Sequence, residues 1–129
     1  MRDMLRVWIK EEKCFADYIE TIRYYEKEID LYWGGICESD YFDFEDVIFT
    51  QSTGLKDKNG KEIFEGDVVD YKGRKAVVKW HGSYASFIYI FVDELQERVS
   101  EWHPLFLASY HFEIVGNIYE NSELLEVEE

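Results

Sequence analysis

Apolar and polar residues alternate with a period of two along most of this chain, the spacing that sends successive side chains to opposite faces of a strand. Leu5, Val7 and Ile9 alternate with Arg6, Trp8 and Lys10, and residues 11–13 read as a turn into a second strand over residues 15–22. Ile29, Leu31 and Trp33 alternate with Asp30 and Tyr32 before the breaker Gly34-Gly35. Residues 38–46 (ESDYFDFED) interleave acids with aromatics, show no clean period and read as an ordered loop. A short strand over residues 47–50 follows.

The second half is punctuated by turn chemistry. Gly54 reads as a break. Asp57-Lys58-Asn59-Gly60 suits a type I turn: Asp57 can bond the turn backbone and Gly60 takes the left-handed position. Glu65-Gly66-Asp67 is a further tight turn, then strands over 68–71 and 74–80 flank a Lys72-Gly73 turn. Ala76, Val78 and Trp80 share one face of the second of these strands, Lys75, Val77 and Lys79 the other. After His81-Gly82-Ser83, residues 85–92 are apolar on both faces, through Ile88 and Ile90 and through Phe87, Tyr89 and Phe91. Such a strand is covered on both sides or serves as an interface. Asp93 and Gln96 stand at capping-box spacing, with Leu95, Val99 and Trp102 at helical intervals, predicting a short helix over 94–101. Pro104 opens a further helical turn to 109. A last strand over 112–118 puts Phe112, Ile114 and Ile118 on one face, and five glutamates in 120–129 predict a solvated end.

Short strands, tight turns and one helical turn predict a mostly β fold, a small SH3-like barrel or roll with an N-terminal β extension. The expected divisions are an N-terminal β lobe over 1–46, the barrel core over 47–119 and an acidic tail over 120–129. With 47% hydrophobic residues the chain can bury a core, so extended disorder is not expected. Two cysteines, Cys14 and Cys37, are too few for a disulfide framework, and the start runs straight into charged residues, not a leader. No apolar run approaches the roughly 20 residues that cross a bilayer. These features predict a cytoplasmic protein with no membrane association.

Charge then narrows the partners. The net charge is −14, yet residues 54–81 are +2, which leaves −16 on the remainder. A surface so acidic repels phosphate backbones unless its cations gather on one face. The cations able to do so are Lys56, Lys58 and Lys61 on one loop and Lys72, Arg74 and Lys75 on the next. The acids of 38–46 and of the C-terminus suggest the opposite role, an acidic mimic of DNA that inhibits a nucleic-acid-binding protein. Twenty-three aromatic residues exceed what a small barrel hides comfortably. The surplus, with Tyr41, Phe42, Phe87, Tyr89 and Phe91 as its best candidates, suits a protein–protein or homo-oligomeric interface.

Reactive chemistry is not announced. Cys14, Cys37, His81, His103 and His111 show no CxxC, HExxH or helical His pair, so no metal and no cofactor is expected. Nothing selects a catalytic pair from twenty-eight carboxylates, and Ser52, Ser83 and Ser86 lie in no nucleophile elbow. GLKDKNG lacks the Walker spacing. The turn residues Gly54, Asp57, Asn59, Gly60, Gly66, Asp67 and Gly73 therefore read as structural.

Three segments carry a resemblance. TGLKDKNGKEIFEGDVV (53–69) and FEIVGNIYEN (112–121, extended to 125) closely follow two blocks of the YopX family of bacterial and bacteriophage proteins, and LRVWI (5–9) more loosely resembles its opening. Val7 and Ile9 depart from that opening, where the family carries alanine and aspartate. The resemblance implies a phage or prophage accessory protein with an SH3-like core and an unknown host or phage protein as partner. It supplies no catalytic or binding residues. A non-enzymatic interaction protein is the leading expectation, and nucleic-acid binding through the basic loops or DNA mimicry the alternatives.

Overall fold

The computed structural model describes residues 4–36, 38–95 and 101–126. Internal contacts divide the chain into two units, Met1–Thr50 and Gln51–Glu129. The fold is mostly β, with no long helix among the described residues, as the periodicity predicts.

The N-terminal unit contains β1 (Leu5–Ile9), β2 (Cys14–Phe15), β3 (Tyr18–Arg23), β4 (Glu28–Tyr32), β5 (Asp40–Asp43) and the start of β6 (Val47–Lys56). Strands β2, β1 and β6 adjoin in that order, while β3, β4 and β5 form a second sheet. Val7, Ile9, Ile29, Leu31 and Val47 are buried together, with Ile19, Ile22, Phe42 and Phe49 packed against them. Periodicity predicts one strand across residues 15–22; the chain instead leaves β2 at Ala16-Asp17 and starts β3, which pairs with β4 and not with β1. Residues 38–46 are not a loop throughout. Asp40–Asp43 pairs antiparallel with β4, setting Phe42 opposite the buried Ile29, and a 3-10 turn covers Phe44–Asp46. Acids at both Asp40 and Asp43 conceal that alternation from the sequence.

The C-terminal unit continues β6 from Gln51 and pairs it with β7 (Glu62–Phe64). Its five-stranded sheet runs β11 (His103–Pro104), β10 (Ser86–Phe91), β9 (Arg74–His81), β8 (Asp67–Tyr71) and β12 (Glu113–Asn117). The sheet curls into a half-barrel, an arrangement consistent with an SH3-like roll. Alternation along β8 and β9 sends Val69, Ala76 and Val78 to one cluster with Ile63, Leu105 and Phe112, and Val68 and Val77 to another with Val92. Complete burial of an aliphatic side chain such as Ile63 contributes about 1.5–3 kcal/mol.

Several expectations are corrected here. Gly54 does not end a strand: β6 runs through it at φ +75°, and the register with β7 shifts between Ser52 and Lys56. Another shift, between Ile114 and Gly116, inserts Val115 and reverses the parity of β12. Ile114 therefore packs with the Val69 cluster and Ile118 with the Val68 cluster, on opposite faces and not on one. A 3-10 turn covers Val92–Glu94, and the helix expected over 94–101 falls mainly on residues 96–100, which lie outside the described residues. Pro104 precedes two separate 3-10 turns, Leu105–Leu107 and Ser109–His111. The C-terminal segment is not simply solvated, because Ser122–Leu125 forms a 3-10 turn whose Leu124 and Leu125 pack against Val68, Val77 and Val92.

Candidate functional site

The two sequence blocks that stand out most meet in the fold, and what they build is a clasp. Gly60 donates its N–H to the Asp57 carbonyl at 3.0 Å and takes φ +81°, as the turn chemistry requires. The buried Asp57 carboxylate accepts the N–H groups of Asn59 and Lys61 at 2.9 Å and, through its second oxygen, that of Ile114 in β12 at 3.0 Å. Burial pushes this carboxyl up, but the three backbone donors hold it below its ordinary range. The Lys58 N–H reaches the Phe112 carbonyl at 2.8 Å. A second link forms at Gly66, which donates to Val78 and accepts from Ile118. Gly66 sits at φ +89°, and a Cβ there would lie 3.0 Å from Tyr119 Cε2. Asp67 Oδ2 accepts the Phe64 N–H at 2.8 Å, and Asn117 caps the closing turn by accepting from Tyr119 and Glu120. Lys72 and Gly73 both take positive φ at the tip joining β8 to β9.

The basic residues are divided by acids. Lys58 faces Glu113 at 3.7 Å, and cross-strand pairing then runs Glu113, Asp70, Lys75, so carboxylates stand between the two groups of cations. Arg74 is engaged: its guanidinium binds Asp93 at 2.9 and 3.0 Å, reaches Glu94 at 3.2 Å and lies 3.6 Å over the Phe91 ring. Lys72, Arg74 and Lys75 share a cleft of about 500 Å³ with Asp93, Glu123 and Glu126. Lys72 also lies 5.2 Å over the Tyr71 ring, whereas Lys56 and Lys61 are exposed.

The aromatic candidates separate as well. Phe87, Tyr89 and Phe91 pack against the Ile63 cluster, and Phe42 against the N-terminal core, while Tyr41 is exposed. Strand β10 is thus flanked by β9 and β11 and contributes mainly to the core. Sequence reasoning missed the surface beside it. Trp80, paired with Phe87 across the strands and edge-on to its ring at 4.9 Å, remains 45% exposed. Strand β11 covers β10 only at Ile88 and Tyr89, short of this end of the sheet. The Leu105–Leu107 turn buries Leu105 and turns Phe106 and Leu107 outward, 59% and 62% exposed. A shallow groove of about 300 Å³ joins Trp80, Phe87 and Phe106, with Thr53, Leu55 and Ser86 completing its walls. Exposed Tyr84 ends the 3-10 turn just before it, and Ala85 enters the groove wall at φ +47°. The available signal was the run of apolar residues after Pro104, which one short turn cannot hide.

The remaining polar candidates are embedded in ring contacts or backbone bonds. His103 stacks on Tyr89, His81 touches Tyr84 and Trp102, and His111 lies against Tyr71 and Tyr110. Ser52 accepts the Gly54 N–H, and Ser86 donates to the Phe87 carbonyl. Among the described residues no group of three His, Cys, Asp or Glu side chains could hold a metal ion, and Cys37 lies outside them. No helix among them is long and apolar enough to cross a membrane.

Known proteins place this arrangement. The chain is similar to protein EF1440 from Enterococcus faecalis, whose crystal structure superposes with a TM-score of 0.60 at 26% identity over 95% of this chain and 97% of that one. No curated protein matches significantly. Residues 4–126 match the family described as YopX protein, a span that includes both blocks of the clasp, and the chain belongs to that family.

Proposed function

We propose that this protein is a non-enzymatic accessory of a phage or prophage that binds a protein partner in the bacterial cytoplasm. The observation that carries the reading is the open groove at Trp80, Phe87 and Phe106, with exposed Leu107 beside it in the chain. Large apolar side chains held outward by short turns are costly to leave in water, and aromatic anchors of this kind dominate protein interfaces. The turn residues of the conspicuous sequence blocks support the same reading from the other side, because the Asp57 and Asn117 side chains are occupied by backbone bonds within the clasp. The family and the likeness to a protein of Enterococcus faecalis favour a bacterial setting. Nucleic-acid binding through the basic loops has less support, since Asp70, Asp93 and Glu113 stand among the cations.

Affinity capture from a bacterial host during prophage induction, followed by cross-linking and mass spectrometry, tests the reading. The expected result is a specific partner cross-linked within residues 80–87 and 105–110. Cross-links confined to other segments, or capture of nucleic acid instead of protein, would contradict it.

A further inference from the structure

The N-terminal unit carries a second surface of different chemistry. Sheet β3–β4–β5 buries Ile29 and Leu31 on one face, and antiparallel partners share a face, so the register defines the opposite one. One row holds Arg23, Glu28 and Asp43; the next holds Thr21, Asp30 and Tyr41; the last sets Tyr18 against Tyr32. The Tyr18 and Tyr32 rings stack at 4.3 Å and 20°. Glu20, displaced by the irregularity between Ile19 and Thr21, accepts the Tyr32 hydroxyl at 3.2 Å and also the Ser39 hydroxyl.

Four carboxylates on this face (Glu20, Glu28, Asp30 and Asp43) meet one guanidinium, that of Arg23, which is already bound to Asp30 and Glu28. The Asp43 and Glu28 carboxylates hold the Tyr41 phenol above its ordinary range, which marks the concentrated negative potential. Tyr18 and Tyr41 remain 52% and 58% exposed, so ring surface lies open beside the acids.

We propose that this face docks a cationic protein segment, with arginine or lysine side chains lying over the Tyr18 and Tyr41 rings and pairing with Glu20 and Asp43. Charge complementarity selects the occupant. Open tyrosine rings attract a cation, and the surplus carboxylates repel a phosphate backbone. They also oppose a second copy of this chain, which carries the same face and a net charge of −14. This surface belongs to the N-terminal unit alone and does not depend on the Trp80 groove.

The test titrates the isotope-labelled full chain with a short peptide of alternating arginine and serine, and with its glutamate–serine counterpart. The arginine peptide is expected to shift amides within residues 18–32 and 40–43. Tyr18→Ala with Tyr41→Ala should weaken its affinity about tenfold, as should Glu20→Gln with Asp43→Asn, whereas Tyr41→Phe retains it. Shifts elsewhere overturn the proposal, and so does equal binding of the glutamate peptide. Equal weakening by neutralising Glu11 and Glu12, exposed in the β1–β2 turn, would reduce the effect to bulk charge and overturn it too. A dimer in sedimentation whose contacts map to this face would replace the cationic segment with a second copy. Amide mapping on the unmodified chain keeps the test decisive should a variant fail to fold.

Discussion

Asp57 shows how much a single residue can settle. Its two buried carboxylate oxygens satisfy three backbone donors, two in its own turn and one in β12. An asparagine in its place keeps one acceptor but turns an NH2 toward the Ile114 N–H, donor against donor. Asp57→Asn is therefore expected to lose about 2–3 kcal/mol in urea unfolding at neutral pH. The pH dependence follows from the direction of the shift. The folded carboxyl titrates below the unfolded value of 3.8, so its contribution is complete above that value and is lost as pH falls through the folded one. The stability gap between parent and Asp57→Asn should thus narrow only below about pH 4. A gap constant down to strong acid would assign the loss to packing alone. Glycines in the clasp make a parallel case. Gly60→Val and Gly66→Val both force a bulky residue into the left-handed region, a cost of about 1–3 kcal/mol. Gly66→Val should be the worse of the two in thermal melts, because its Cβ also meets Tyr119 while nothing lies within 4 Å of the Gly60 position.

At the scale of elements, legibility depended on whether a residue type enforces the geometry. The tips at Asn59-Gly60 and Lys72-Gly73 could be read because glycine enters positive φ at little cost. The register shifts could not: Val115 is an ordinary strand residue, and one inserted position reverses every side chain after it. Strand β5 was hidden because acids occupy both of its ends. The C-terminal segment shows composition misleading in another way. Its glutamates suggest a solvated tail, but Leu124 and Leu125 return to cover Val68, Val77 and Val92, and Asn121 and Leu124 sit where a Cβ on Gly116 would be. Truncation after Asn121 is accordingly expected to cost about 2–4 kcal/mol and to lower the melting temperature measurably. Unchanged melting would mean that the segment merely rests on the sheet.

For the whole molecule, the blocks at 53–69 and 112–121 link strands within the C-terminal unit, and Thr53 and Leu55 of the first also line the Trp80 groove. The candidate groove is only partly legible in the sequence, which marks Phe87 as an interface candidate but gives no such sign for Trp80 or Phe106. Periodicity assigns Trp80 to the same face as the buried Ala76 and Val78, and cannot show that β11 stops short of it. The basic loops were legible as a run of cations but not as cations interleaved with Asp70 and Glu113, since that pairing joins distant strands. The measurement that bears most directly on the account is partner capture by three proteins of matched fold: the parent, Trp80→Ser with Phe106→Ser, and Lys58→Glu with Lys75→Glu. Lys58→Glu and Lys75→Glu each set a glutamate beside an acid, and Trp80→Ser removes a cross-strand ring pair, so thermal melting first verifies that both variants are folded at the capture temperature. Loss of the partner in the Trp80/Phe106 variant, with full retention in the lysine variant, is the predicted result. Retention in the first and loss in the second would contradict the account.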